Sequence, residues 1–205
     1  MGPTADDFRT ITDDLTGRFA ELPDDAWGKP ALELAWDCRE TAAHLMDDFA
    51  FYAMQLSGRR PPQDDYVALV DPPAWQAGGP EILFWPDPAT GTAGIVSCFD
   101  AAAGLLYAVT ATAPAGHRGY HPAGTSDASG FAAMGVAEAV LHGFDILAAQ
   151  GISYRPDEVV IARVLDRIFP AAERTGDPWQ DLLGASGRTP ETRGQQWRWD
   201  SSVRG

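Results

Sequence analysis

Residues 136–147 read Val-Ala-Glu-Ala-Val-Leu-His-Gly-Phe-Asp-Ile-Leu. The run is apolar enough to need burial, yet it carries Glu138, His142 and Asp145. An unpaired polar or charged group costs free energy in a core. Any fold for this chain must therefore bury the segment and also supply partners for three polar side chains. Glu138 and His142 are four residues apart, so on an α-helix they stand one turn apart on one face. A carboxylate and an imidazole placed that way can grip one metal ion, provided further ligands come from elsewhere. His44, in an earlier helical pattern with a similar apolar run, is the candidate.

Other segments show the same helical period. A helix over 4–22 places Phe8, Ile11, Leu15, Phe19 and Leu22 on one face, with Thr4 as N-cap and Asp6-Asp7 in its first turn. A helix over 37–56 has Cys38, Ala42, Leu45, Phe49, Tyr52 and Leu56 as its apolar face. His44 lies beside that face, and Asp48 is four residues further along the same flank. Helices follow over 91–113, over 131–150 with Gly151 as C-cap, and over 157–169, with a short amphipathic piece at 178–183. The connection at 27–36 drops Trp27, Trp36 or both into the core. Residues 58–90 read as coil, rich in Pro and Gly, with two apolar runs at 66–70 and 82–85 that fit brief strands or buried loop. Trp197 and Trp199, two apart in the tail, are expected to dock on the helices. The expected fold is all-α: an up-down four-helix bundle over 1–172, with an additional C-terminal helix and an irregular tail over 173–205 packed on it.

The chain has 205 residues, 45% of them hydrophobic, which suits one domain with a sizeable core. A formal net charge of −14 argues against nucleic acid and anionic membrane surfaces as partners and favours solubility. No stretch of eighteen consecutive apolar residues occurs, and the N-terminus has no basic flank or apolar signal region, so no membrane span and a cytoplasmic location are expected. Cys38 and Cys98 do not make a disulfide framework, and both sit in apolar helical patterns as small hydrophobes. An exposed helix face offers a surface for a homodimer.

Divalent first-row ions accept imidazole nitrogen and carboxylate oxygen, and three protein ligands with one open position is the catalytic pattern. His44, Glu138 and His142 form such a set. Asp48 or Asp145 completes the sphere or orients an imidazole. The competing reading of the same residues is a metal-free bundle with satisfied polar core groups. His117 and His121 fit a pocket mouth or an ordinary loop. The hydroxyls near His121 lack a triad context.

The segment Trp36-Asp37-Cys38-Arg39-Glu40-Thr41-Ala42-Ala43-His44-Leu45 resembles the Trp-x-x-Arg…His-Leu signature of the mycothiol-dependent maleylpyruvate isomerase N-terminal domain family, within the DinB/YfiT-like metalloprotein superfamily. His121-Pro122-Ala123-Gly124-Thr125, followed by Glu138-Ala139-Val140-Leu141-His142-Gly143-Phe144-Asp145, is similar to the family's second signature. The stretch 182–188 and Trp197-Arg198-Trp199 are similar to the tails of uncharacterised members. The resemblance implies a four-helix bundle, a metal held by His44, Glu138 and His142, and a low-molecular-weight thiol, mycothiol or a similar one, as cofactor or co-substrate. It also implies attack of that thiol on a small electrophile such as an activated alkene, epoxide or halide. Expulsion of the thiol after rotation of the adduct gives isomerisation, and retention gives transfer. Asp145 is the expected support for a ligand and Tyr52 a pocket-lining donor. The expected metal is zinc, with nickel, iron or manganese as alternatives. After the fifth helix no large C-terminal domain of the kind some members carry is expected, and no motif places an arginine mid-chain, a departure from the isomerase. A metal hydrolase that works without thiol, and a non-catalytic protein binding a metal or small ligand, fit the same residues.

Overall fold

The computed structural model describes residues 2–69, 74, 77–193 and 198–204. Most helices start where a side chain offers an oxygen to N–H groups that lack an intrahelical partner. Thr4 caps α1 (Ala5–Ala20) in a reciprocal box with Asp7, and Asp37 caps α2 (Cys38–Ser57) in the same way with Glu40. Asp127, Asp157 and Asp177 cap α4 (Ala128–Ala148), α5 (Glu158–Ile168) and α6 (Pro178–Ala185). Each such cap contributes about 1 kcal/mol. The helix α3 (Gly91–Thr112) instead follows a short 3₁₀ turn at Pro88–Thr90. Two boundaries of α4 differ from the pattern. It starts at Ala128, before Phe131, because Asp127 accepts from Gly130 N. It ends at Ala148, and Gly151 carries the chain reversal beyond it with φ +75.

The helices α1 and α2 each pack on both α3 and α4, so α1 and α2 stand across the bundle from one another. Their rings meet in the centre, where Phe8 and Phe49 are 5.0 Å apart in an edge-to-face arrangement. Phe99 of α3 joins them, 5.3 Å from Phe19 and 5.7 Å from Phe49. Of the two loop tryptophans, Trp27 is fully buried against Phe19 and donates Nε1–H to Thr92 Oγ1, while Trp36 is only half-buried. Glycines let α1 lie close to α4: a Cβ on Gly143 would come within 2.7 Å of the Leu15 side chain. Because α4 is enclosed in this way, its polar residues are forced into the core.

The helix α5 packs on α4, and α6 on α5, with Trp179 of α6 set against Phe144 and Tyr154. The tail returns to the bundle. Ser201 N donates to Ala123 O, and Trp199 rests on Phe169 and His121. Trp197 lies outside the described residues.

Among the described residues, 58–87 contain no strand. The two apolar runs are loop, apart from Val70, which lies outside the described residues. Their backbone groups bond to α2 side chains and not to a neighbouring strand. Val67 N donates to Gln55 Oε1, Gln55 Nε2 donates to Asp65 O, and Leu83 N donates to Asp47 Oδ1. Cys38 is buried as expected, but Cys98 is exposed. The register of α3 turns Ile95, Phe99, Ala102 and Leu106 inward, and Cys98 falls just outside that stripe. The stretch 88–112 and α4 are also long and apolar enough, by length and composition, to cross a membrane, which a search for consecutive apolar residues passes over. In α4 that apolarity is spent on the core, with 89% of the apolar window buried.

Candidate metal centre

Two stripes of polar residues face each other between α2 and α4. On α2, His44, Asp48 and Tyr52 follow at four-residue steps; on α4, Glu138 and His142 do the same, with Asp145 almost one turn further. Packing of α2 on α4 brings the stripes together. One ligating atom from each of His44, Glu138 and His142 lies within 4.8 Å of the others. His142 Nε2 is 3.2 Å from Glu138 Oε2, and His44 Nε2 is 4.0 Å from the same oxygen. Ligands bound tetrahedrally at about 2.0–2.1 Å are about 3.3 Å apart, so one edge already has the spacing a first-row ion imposes. Glu138 Oε2 is shielded from water and takes no hydrogen bond. Such an orphaned carboxylate oxygen is costly unless a cation meets it. The donor set and the orphaned oxygen both fit a divalent ion.

The surrounding groups fix this set. His142 Nδ1 is 3.1 Å from Asp145 Oδ2. With the proton on Nδ1, donated to Asp145, Nε2 keeps its lone pair toward the shared point. Arg188, which follows α6, holds Asp145 in a two-bond fork: Nε to Oδ1 at 3.0 Å and Nη2 to Oδ2 at 2.6 Å. The Trp36 ring lies 5.1 Å from the His44 imidazole, which is itself 5.2 Å from that of His142. Asp48 Oδ2 is 3.4 Å from His44 Nε2. Among the described residues, Asp48 stays outside the group whose ligating atoms are mutually close.

Burial and charge set the protonation of the cluster. Burial, then the His142 charge, push His44 down to about 4. Burial opposes a charge on His142 too, but Asp145 and Glu138 beside its two nitrogens raise its pKa. For Asp145, burial works upward, and its bonds from His142 and Arg188 win and lower it. Glu138 is lowered despite its burial because His142 and His44 are adjacent. Asp48 is pushed well above the carboxylate range by burial and then by Glu138 and Asp47. Burial also raises Tyr52, helped by Asp48 and Glu138. Positive charge is therefore favoured at His142, beside the point where a cation would stand.

Two clefts approach the cluster. A cavity of about 480 Å³ is lined by Asp48, Tyr52 and His121 beside residues of 65–69. A second, of about 500 Å³, runs past His121, Pro122 and Trp199 to Glu138. His121 thus lines both, with its ring 5.8 Å from Tyr52, whereas His117 bonds Gly58 O and lines neither. Burial pushes His121 to about 4. Sequence reading missed Arg188 as a member of the cluster. Its only signal was that a carboxylate in an apolar helix needs a cation, with no pattern to say which.

A family model described as the DinB superfamily matches residues 7–146, which takes in every helix of the bundle. No match was found among curated proteins or among solved structures.

Proposed function

We propose that this chain, which belongs to the DinB superfamily, is a divalent-metal enzyme that activates a low-molecular-weight thiol against a small electrophile. Mutual proximity of His44, Glu138 and His142 around an unbonded buried carboxylate oxygen is the observation that carries the reading. These three residues would hold the ion. When bound there, a divalent cation supplies Lewis acidity that lowers the pKa of a coordinating thiol or water. The chain's own residues do the rest. Asp145 keeps the His142 proton on Nδ1, and Arg188 keeps Asp145 in place. Tyr52, at the cleft wall beside Asp48 and Glu138, offers an O–H to charge developing on the electrophile.

Motifs around His44 and His142 that resemble the mycothiol-dependent isomerase support the choice of thiol chemistry, with mycothiol or a similar thiol as co-substrate and zinc as the first metal to try. Transfer and isomerisation differ only in whether the thiol leaves again. The test is incubation of metal-loaded protein with 1-chloro-2,4-dinitrobenzene, with and without a thiol. Thiol-dependent adduct formation that falls in the His142→Ala variant together with its metal content is the expected result. Turnover of an ester substrate without thiol, and no thiol adduct, would favour a metal hydrolase. Bound metal with neither activity would favour a binding protein.

A further inference from the structure

We propose that the 480 Å³ cleft beside the cluster receives an organic cation, a small molecule that carries a positive charge on an apolar or aromatic body. The proposal rests on the reading of the cluster as an active site and names the class of its substrate. Three carboxylates that can carry charge, Asp47, Asp65 and Glu81, line the cleft beside the raised acid Asp48, and among the described residues no Lys or Arg does. A cleft walled by one sign of charge concentrates the field and with it the oppositely charged ligand. The volume lies within the range of small-molecule sites.

Aromatic rings add to the charge. Phe51 and Tyr66 both line the cleft and pack on each other at 5.1 Å between centroids. Faces and edges of such rings suit an apolar body, and their π-clouds attract a cation. The independent sign of a ligand is Tyr52. It is only 4% exposed and lines this cleft, yet its hydroxyl has no hydrogen-bond partner among the described residues. An unpartnered hydroxyl on a side chain held this firmly in the cleft wall is free to bond a molecule seated there. Tyr52 and Asp48 stand both in the cleft wall and on the α2 stripe that begins at His44, and Asp48 Oδ2 lies 3.4 Å from His44 Nε2, which puts the cleft next to the metal set. The approach past Trp199 has a different character, with Arg198 in its lining. A dicarboxylate such as maleylpyruvate would meet like charges in the acidic cleft. The same thiol chemistry is thereby directed to a different substrate.

The experiment measures binding of three benzene-ring probes to zinc-loaded full-length protein at low salt: 2-phenylethylammonium, 2-phenylethanol and 3-phenylpropionate. The ammonium should bind about tenfold tighter than the alcohol, and the carboxylate weakest, the order that charges a few ångströms apart impose near a surface. Asp65→Asn combined with Glu81→Gln should remove most of the ammonium's advantage and leave the alcohol unchanged. Both residues are exposed, so folding is not at stake. Removal of two acids elsewhere, Asp13→Asn with Asp100→Asn, should change nothing. Equal or tighter binding of the carboxylate, or an equal loss in the remote pair, overturns the proposal. Zinc content is measured on the same samples. One equivalent of zinc with no cation preference sinks the cleft proposal alone, and cation preference in a protein that holds no zinc sinks the metal reading alone.

Discussion

Replacing Asp145 by Asn takes one charge from the middle of the chain His142–Asp145–Arg188. The Asp145 side chain is 3% exposed and that of Arg188 10%, so neither has water to fall back on. Removal of one partner of a buried ion pair leaves the other charge uncompensated and costs about 3–5 kcal/mol. Asn keeps one acceptor oxygen and so retains part of the fork, which places Asp145→Asn near the lower end, at about 3 kcal/mol. Arg188→Met should cost a similar amount, because Asp145 then has only His142. The double variant Asp145→Leu/Arg188→Met leaves neither charge of the pair unmatched and should be destabilised by less than the sum of the singles. Urea unfolding of the metal-free proteins in chelator measures all of these, with the single variant Asp145→Leu closing the cycle. Asp145→Asn should also weaken metal binding by about 10–100-fold, the usual effect of losing the group that orients a ligating histidine. Additive single costs, or unchanged metal affinity in Asp145→Asn, would show that Asp145 does not hold His142 for the metal.

Further outcomes follow from the same geometry. The depressed His44 pKa of about 4 means that the folded state keeps His44 neutral while the unfolded chain protonates it. Its contribution is complete above about 6.5 and is lost as pH falls to about 4, and His121 behaves in the same direction. His142, with its raised pKa, has the opposite sign: its contribution is complete below about 6.5 and is lost as pH rises through the raised value, so it does not mask the acid loss. The unfolding free energy of the metal-free protein, from urea titrations at pH 7 and pH 4, should fall by about 3 kcal/mol more in wild type than in His44→Gln. Because His142 titrates above its ordinary value and must be neutral at Nε2 to ligate, metal binding at pH 6 should release a proton; calorimetric heats that are the same in buffers of different ionisation enthalpy would contradict this. Gly135→Ala places a Cβ within 2.7 Å of Leu106 and 2.9 Å of the Phe8 ring. The strain should outweigh the gain in helix propensity and cost about 1–2 kcal/mol in urea unfolding, with metal stoichiometry unchanged.

What could be read in the chain beforehand was whatever repeats at the helical period. His44, Asp48 and Tyr52 on one helix, and Glu138 and His142 on another, share faces by spacing alone, and their apolar neighbours show that both faces turn inward. Spacing says nothing about which helices meet; the facing of the two stripes was expected from ligand chemistry, which asks for a donor beyond Glu138 and His142, and from the family resemblance. Arg188 was invisible because its link to Asp145 spans 43 residues and depends on the path of α6 and the turn after it. Cys98 misled because α3 is apolar nearly all round, so its pattern does not define one buried face. Residues 58–87 were hard for another reason: their backbone is held by Gln55 and Asp47 of α2, contacts that leave no periodic trace.

X-ray absorption spectroscopy of the zinc-loaded protein tests the shared ligand point most directly. Two imidazoles and one carboxylate oxygen around a single ion, with a further light atom from solvent, is the expected shell, and His44→Ala and His142→Ala should each lose one imidazole or the ion itself. A shell without histidine, or one unchanged in both variants, would contradict the account.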